Sequence, residues 1–427
     1  MTTFLIAIFA LTYAAIALEE PLKVNKSAAA LVGAGLLWTL YAVAGGGHHE
    51  AIDGELASSL VETAEIAFFL MGAMTIVEVV DIHGGFEVVT QRVKAKSLLS
   101  LVWIVCWLTF FLSAILDNLT TTIVMISLLR KLIGPREDRL FLAGLIIIAA
   151  NAGGAWSPMG DVTTTMLWIG GQVSAGAIVT RLIVPSIVNL LVPLVMAGFL
   201  LRGKPLIGPE EPEAGTGHTT AFERNLMFAL GLGVLLAVPA FKAITHLPPF
   251  LGILFGLGIV WAAGDLVHRR KPHEVRQRMA IAHALTRIDM SAIVFFVGIL
   301  LAVAVLEHAH ILAAAATWLD HTVGRLDVIV VLFGLASAVV DNVPIVAAAM
   351  GMYSLDLHPT DSFLWEFMAY CAGTGGSILV IGSAAGVAAM SIEKIEFGWY
   401  LKKFGLLALA GYLAGALVYI GQAALLG

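Results

Sequence analysis

A chain of 427 residues in which 59% are hydrophobic and only 13% charged has too little polar surface to cover a water-soluble globule. The net charge of -6 is small for this length, is spread along the polar segments and offers no basic face for nucleic acid. Cys106 and Cys371 stand alone in apolar runs, with no CxxC or Cys/His spacing, which argues for buried small hydrophobes and against redox or zinc chemistry.

In chain order the sequence reads as all-α and polytopic. Thr3 to Leu18 is apolar, lacks a basic leader and ends in Glu19-Glu20-Pro21, so it reads as a short first span rather than a cleaved signal. Ala28 to Ala44 forms a second. Basic loops belong on the cytoplasmic side. Gly45 to Glu62, with Glu50, Asp53, Glu55, Glu62 and no Lys or Arg, is therefore expected to be an external loop, and Thr63 to Val80 returns to an internal one holding Arg92, Lys94 and Lys96. From Ser97 the chain is apolar to Leu129 and then meets Arg130, Lys131, Arg136 and Arg139, so both ends of this segment read as internal. About 33 helical residues cover roughly 50 Å, more than one crossing of a roughly 30 Å core needs. The expectation is a re-entrant helical hairpin over 97–129, its tip near Asp117-Asn118. A discontinuous helix follows over 140–170, interrupted at Asn151-Ala-Gly153-Gly154-Ala-Trp-Ser157-Pro158-Met-Gly160-Asp161, and Ala177 to Leu201 closes the first half.

A linker rich in Gly, Pro, Thr and Glu, 203–222, leads to a second half with the same parts and inverted sidedness. Spans are expected at Asn225 to Pro239, Phe250 to Gly264 and Met290 to Leu306, with the basic loop His268 to Arg287 internal and Glu307 to Asp327 an external loop. The run 328–352 starts and ends on the acidic, external side, so it reads as a second hairpin with its tip at Asp341-Asn342. A second broken helix over 363–390 and a final span, Gly398 to Leu425, complete the chain. Shifting the first break by 222 overlays Gly153, Gly154 and Gly160 on Gly375, Gly376 and Gly382, and the two Asp-Asn pairs lie 224 apart. The architecture expected is two inverted-topology repeats, 1–202 and 223–427, each of five spans and one hairpin, with both termini external.

Backbone groups freed at a membrane-embedded break are tolerated only where protein or a lined cavity satisfies them. Broken helices alone leave the sign of a substrate open, because free carbonyls suit cations and helix N-termini suit anions. The side chains favour a cation. Asp117, Asp341 and Asp161 supply carboxylates, and Asn118, Asn151, Thr120, Thr121, Ser157, Thr163, Thr164, Asn342, Thr374, Ser377 and Ser383 supply neutral oxygens. Oxygen-only ligands suit a hard ion, here a small alkali ion. A carboxylate in a poorly solvated cavity holds its proton more tightly than in water, so proton and metal ion compete for one group and are coupled. Glu65 and Asp289 open the third spans before Phe68-Phe69 and Phe295-Phe296, and are candidate proton relays or interfacial charges. His48, His49 and Glu50 read as a solvated loop rather than a metal site or pH sensor.

The motifs SAILDNLTTTIVM, NAGGAWSPMGDVTTT, SAVVDNVPIV and GTGGSILVIGSAAG, in this order over nearly the whole chain, resemble those of the NhaD-type sodium/proton antiporters of the ion-transporter superfamily. The resemblance implies exchange of Na⁺ or Li⁺ for H⁺ without a cofactor or enzymatic step, a homodimer, and a scaffold against which a transport domain moves like an elevator. It also implies that Asp117, Asn118, Asn151, Asp161, Thr163, Thr164, Ser337 and Asn342 matter for transport. Of these, Asp117, Asn118, Asn151 and Asp161 are the expected sodium ligands. Two positions depart from strict repetition: Pro344 stands where the first half has Thr120, and Ser383 where it has Asp161. Compact loops and the absence of a transit peptide point to a bacterial inner membrane. The competing readings are an arsenite or sodium-coupled dicarboxylate carrier on the same scaffold, a passive channel, and an intramembrane aspartyl hydrolase using Asp117 and Asp341, which would need the two carboxyls within hydrogen-bond reach.

Overall fold

The computed structural model describes residues 1–44, 49–90, 93, 95, 97–208, 219–339 and 341–426. His48, Arg92, Lys94, Lys96 and the centre of the expected linker lie outside them. The first half comprises α1 (Thr2–Ala17), α2 (Glu19–Leu22), α3 (Lys26–Ala44), α4 (His49–Ile82), α5 (Glu87–Thr90), α6 (Leu98–Leu116), α7 (Asn118–Leu132), α8 (Arg136–Gly154), α9 (Val162–Ile169) and α10 (Ala175–Leu201). The second comprises α11 (Ala221–Thr245), α12 (Pro249–His268), α13 (His273–Met279), α14 (Ile281–Arg287), α15 (Met290–His308), α16 (Ile311–Val323), α17 (Leu326–Val339), α18 (Asn342–Met352), α19 (Phe363–Gly375), α20 (Ala384–Glu393), α21 (Phe397–Tyr400) and α22 (Leu406–Leu426). Among the described residues there is no strand, and eight helices are long and apolar enough to cross a membrane, or nine if the bent pair α16 and α17 counts as one span. The chain is a multi-pass membrane protein.

Three expectations are corrected. The acidic stretch expected as an external loop is the beginning of α4, which runs unbroken from His49. Its Ala, Glu and Leu residues favour helix, and Ser59 hydrogen-bonds His308 of α15 (Oγ to Nε2 3.0 Å), so the stretch has something to pack on. Glu307 to Asp327 is likewise not a loop: α16 buries Leu312 and Ala316 and leaves Asp320 and His321 outside, then bends by 116° into α17. Finally, α11 continues past Pro239 to Thr245, as proline is tolerated inside a membrane helix when neighbours satisfy the carbonyl it frees.

The centre of the molecule is made by α8 and α19. Every residue of α8 from Leu142 to Gly154 and every residue of α19 from Leu364 to Gly375 is buried. Helices apolar all round belong inside, and in lipid it is close packing rather than exclusion from water that holds them there. Small residues allow that closeness. A Cβ at Gly153 would run into the Phe110 carbonyl of α6, and one at Gly375 into the Gly334 carbonyl of α17. Hydroxyls lock the same two contacts: Ser113 Oγ donates to Ala150 O (2.6 Å), and Ser337 Oγ to Ala372 O (3.2 Å) as well as to Gly334 O (2.7 Å). Outside this centre α10 packs on α22, α3 on α15, and α4 on α12. The last helix has one irregularity the sequence did not announce, a π-helical turn over Leu401–Gly405 that follows Tyr400, whose hydroxyl donates to Ser377 O (2.8 Å).

Candidate functional site

The gap between α8 and α9 packs on the end of α6, where a Cβ at Gly160 would meet Ser113 O, and the gap between α19 and α20 on the end of α17, where one at Gly382 would meet Ala338 O. Asp161 caps α9 from an extended backbone (φ -146°, ψ 147°), which turns its carboxylate into the gap left between α8 and α9. Oδ1 accepts from the backbone N–H and the hydroxyl of Thr163, both at 2.9 Å. Oδ2 accepts from Asn118 Nδ2 at 2.6 Å, and Asn342 Nδ2 approaches both oxygens at 3.4 and 3.5 Å. Asn118 also donates to Asn151 Oδ1 (3.0 Å), and Asn151 Nδ2 donates to the hydroxyls of Ser377 and Ser383, each at 2.9 Å. One network thus joins the starts of α7 and α18 to both helix breaks. Asp161, Asn118, Asn151 and Asn342 are all at most 4% exposed. Gly373 lies beside Asp161, where a Cβ would come 3.9 Å from Oδ2, so the missing side chain leaves room next to the carboxylate.

The two Asp-Asn copies diverge. Asp117 caps α7, accepting from Thr120 N (2.7 Å) and Thr120 Oγ1 (3.1 Å), and it does so at φ 84°, ψ 162°. That backbone region is essentially reserved for glycine and costs about 1–3 kcal/mol, a strain that accumulates at functional sites. Asp341 makes no cap bond. Pro344, at the place of Thr120, has no N–H to give, and Asp341 instead meets Lys26 Nζ at 2.7 Å. Among the described residues no three of His, Cys, Asp and Glu sit close enough to hold one metal ion between them, so Asp117, Asp161 and Asp341 do not form a tight triad. They act on one another at longer range: Asp161 acts on Asp117, and Asp341 on Asp161.

The remaining expected residues separate into two groups. Thr164 Oγ1 donates to Asp161 O (2.8 Å) and Thr374 Oγ1 to Tyr370 O (2.6 Å), each bonded to its own helix, and Thr121 is buried with its hydroxyl unpartnered. These lie at the breaks or in α7, whose first residue joins the network. Glu65 does not join it: it sits within α4 in the field of Glu62 and Lys242. Asp289 caps α15 through Ala292 N (3.0 Å) and lines a cavity of about 1100 Å³. That cavity, walled by α4, α7, α13 and α14, reaches Leu119 and Thr120, one residue turn from Asp117. Glu78, Asp81, Lys131 and Arg287 line it, Arg287 pairing with Glu78 at 2.6 Å, and it therefore lies on the side of the basic segments.

The citrate transporter family profile (CitMHS) matches residues 13–373. Sodium/proton antiporter 1 of Arabidopsis thaliana is 47% identical over 97% of this chain and 71% of its own length, and sodium/proton antiporter 2 of the same plant is 44% identical over 97% and 98%. The Na⁺/H⁺ antiporter NhaD of Vibrio cholerae is 32% identical over 97% of this chain and 90% of its own. The chain belongs to the NhaD-type sodium/proton antiporters, within the citrate transporter family. As an NhaD-type protein it is a transporter and not an enzyme. Asp117 accepts from Thr120 through both oxygens and Asp341 is paired with Lys26, so these two carboxyls do not share a proton as the hydrolase reading requires. Lys26, which pairs with Asp341, went unassigned in the sequence; its signal was Pro344, which frees Asp341 for another partner. Ser383, one of the neutral oxygens expected there, accepts from Asn151 at the place in register with Asp161.

Proposed function

We propose that the chain exchanges Na⁺, or Li⁺, for H⁺ at a site centred on Asp161, with Asp117, Asn118, Asn151 and Thr163 beside it and Ser337, Asp341, Asn342, Thr374 and Ser377 completing its surroundings. The observation that carries the proposal is the environment of Asp161: a buried carboxylate whose every hydrogen bond comes from a neutral donor. Dipoles compensate a buried charge only in part, so this group gains by taking either a proton or a cation. When it binds a cation, rotation of the Asn118 and Asn342 amides presents their carbonyl oxygens in place of N–H, giving the oxygen-only shell a hard monovalent ion prefers. One group that holds proton or sodium, but not both, is what couples the two fluxes.

Matched contacts support two inverted repeats, 1–202 and 223–427 about a linker at 203–222: α6 on α8 as α17 on α19, Ser113 on Ala150 as Ser337 on Ala372, Gly153 on Phe110 as Gly375 on Gly334. In this reading 97–129 and 328–352 are re-entrant hairpins, and 140–170 and 363–390 are the broken helices. The cavity that reaches Thr120 supports an inward-facing arrangement, and the family resemblance supports elevator motion and a homodimer. The short loops favour a bacterial inner membrane, with both termini outside. The dicarboxylate alternative would set a bound anion against the carboxylate of Asp161, for which no Lys or Arg pairs among the described residues.

The test is exchange in proteoliposomes holding an imposed pH gradient, to which Na⁺, Li⁺, K⁺ or citrate is added in turn. Na⁺ and Li⁺ should dissipate the gradient, and Asp117→Asn should abolish the effect. Dissipation by citrate alone would contradict the proposal.

A further inference from the structure

The three carboxylates around the breaks differ in charge balance. Asp117 and Asp161 are held by neutral donors, whereas Asp341 lies 2.7 Å from an ammonium. That ammonium is firmly placed. Lys26 opens α3, its backbone N–H donates to Glu19 Oε1 (3.1 Å), and its Nζ stands 4.6 Å from the centre of the Phe295 ring. The start of α3 is fastened to α15 by Ser27 Oγ donating to Ser291 O (2.7 Å), and its middle by Trp38 Nε1 donating to Leu301 O (2.9 Å). Asp341 is free to be drawn there because Pro344 removes the backbone N–H that would otherwise cap it.

We propose that Lys26 is a positioning residue for exchange: it neutralises Asp341, keeps that carboxylate out of cation coordination, and so leaves the transported ion to the Asp117 and Asp161 side of the site. The inference rests on the reading of Asp161 as the exchange site. Four other titratable groups act on this pair, Glu19 and Asp289 on Lys26 and Tyr13 and Asp161 with Asp341, and none of them is a second cation. Without Lys26, Asp341 is an unpaired carboxylate in a mostly enclosed place, 15% exposed, and is open to coordinate the transported cation. Asp341 then enters the exchange chemistry from which the ion pair excludes it.

The experiment compares full-length wild type, Lys26→Arg, Lys26→Met, Asp341→Asn and the double variant Lys26→Met/Asp341→Asn in proteoliposomes, recording sodium-driven proton flux against pH and the sodium to proton ratio at zero flux. With Asp341 free to coordinate, the Lys26→Met variant should show a changed sodium to proton ratio at zero flux and a shifted flux profile. Lys26→Arg should keep the wild-type profile. The double variant should return to the wild-type profile and ratio whatever rate it retains, because it has no lone charge. Asp341→Asn alone leaves Lys26 facing the incoming cation and should weaken apparent sodium affinity roughly tenfold. An unshifted Lys26→Met, a shift that persists in the double variant, or undiminished affinity in Asp341→Asn overturns the inference while wild-type exchange stands. Absence of sodium-driven proton flux in the wild type overturns the exchange reading, and the inference with it.

Discussion

Asp161 and Asp117 are both helix-capping carboxylates, and what separates them is the kind of donor each meets. Asp117 is occupied by one residue, Thr120, within its own turn. Asp161 is met from other elements, by Asn118 of α7 and Asn342 of α18, in addition to Thr163. Its amide neighbours can reorient without disturbing a helix, while Asp117 gives up the cap of α7, about 1 kcal/mol, if it leaves Thr120. Asp161→Asn should therefore fold, since an amide oxygen still accepts from the Thr163 N–H, and should lose exchange by roughly a hundredfold or more, equivalent to about 2.7 kcal/mol of ion stabilisation. Sodium-driven proton flux in proteoliposomes, alongside a thermal melt in detergent, checks both parts. At this scale the sequence was informative about identity and silent about pairing. Asp117, Asn118, Asn151 and Asp161 stand out in the sequence because a polar residue in an apolar run needs a reason, but hydrogen-bond direction depends on which helices meet. Glu65 stood out for the same reason and sits apart, in the field of Lys242.

The broken helices depend on glycines whose hydrogens touch another helix's backbone. At Gly153 and Gly375 a methyl group would meet the carbonyls of Phe110 and Gly334, which are main-chain atoms and cannot rotate away. Gly153→Ala and Gly375→Ala should each destabilise the fold by about 1–3 kcal/mol and lower the melting temperature. Gly258, in the interior of α12 with open space around it, offers the control: Gly258→Ala should be neutral or stabilise by up to about 1 kcal/mol. The ends of α8 and α19 fall where glycines and hydroxyl residues cluster in the sequence, with Pro158 added in the first case. The helical start of α4 and the whole of α16 were not legible in this way. Both carry acidic residues and so read as loops by charge, but Ala-rich and Leu-bearing stretches favour helix in each, and partners hold them, His308 for α4 and the face buried by Leu312 and Ala316 for α16.

For the whole molecule the loop charges predict a sidedness, and the cavity gives that expectation a physical consequence. Ile123, on the cavity wall and 41% exposed, should react as Ile123→Cys with a membrane-impermeant maleimide added from the side of the basic segments and not from the other. Cys106 and Cys371 are fully buried, so the native thiols leave a silent background. Labelling from the acidic side alone would reverse the assigned orientation. The pairing of α10 with α22 and of α3 with α15 was beyond sequence reading, since apolar faces in lipid carry no mark of their neighbour.

Coupling through one shared carboxylate has a direct signature at equilibrium. Adding Na⁺ to purified protein in weakly buffered solution near neutral pH should release protons in proportion to sodium bound, and Asp161→Asn should release none. Sodium binding without proton release, or equal release by Asp161→Asn, would contradict exchange at this site.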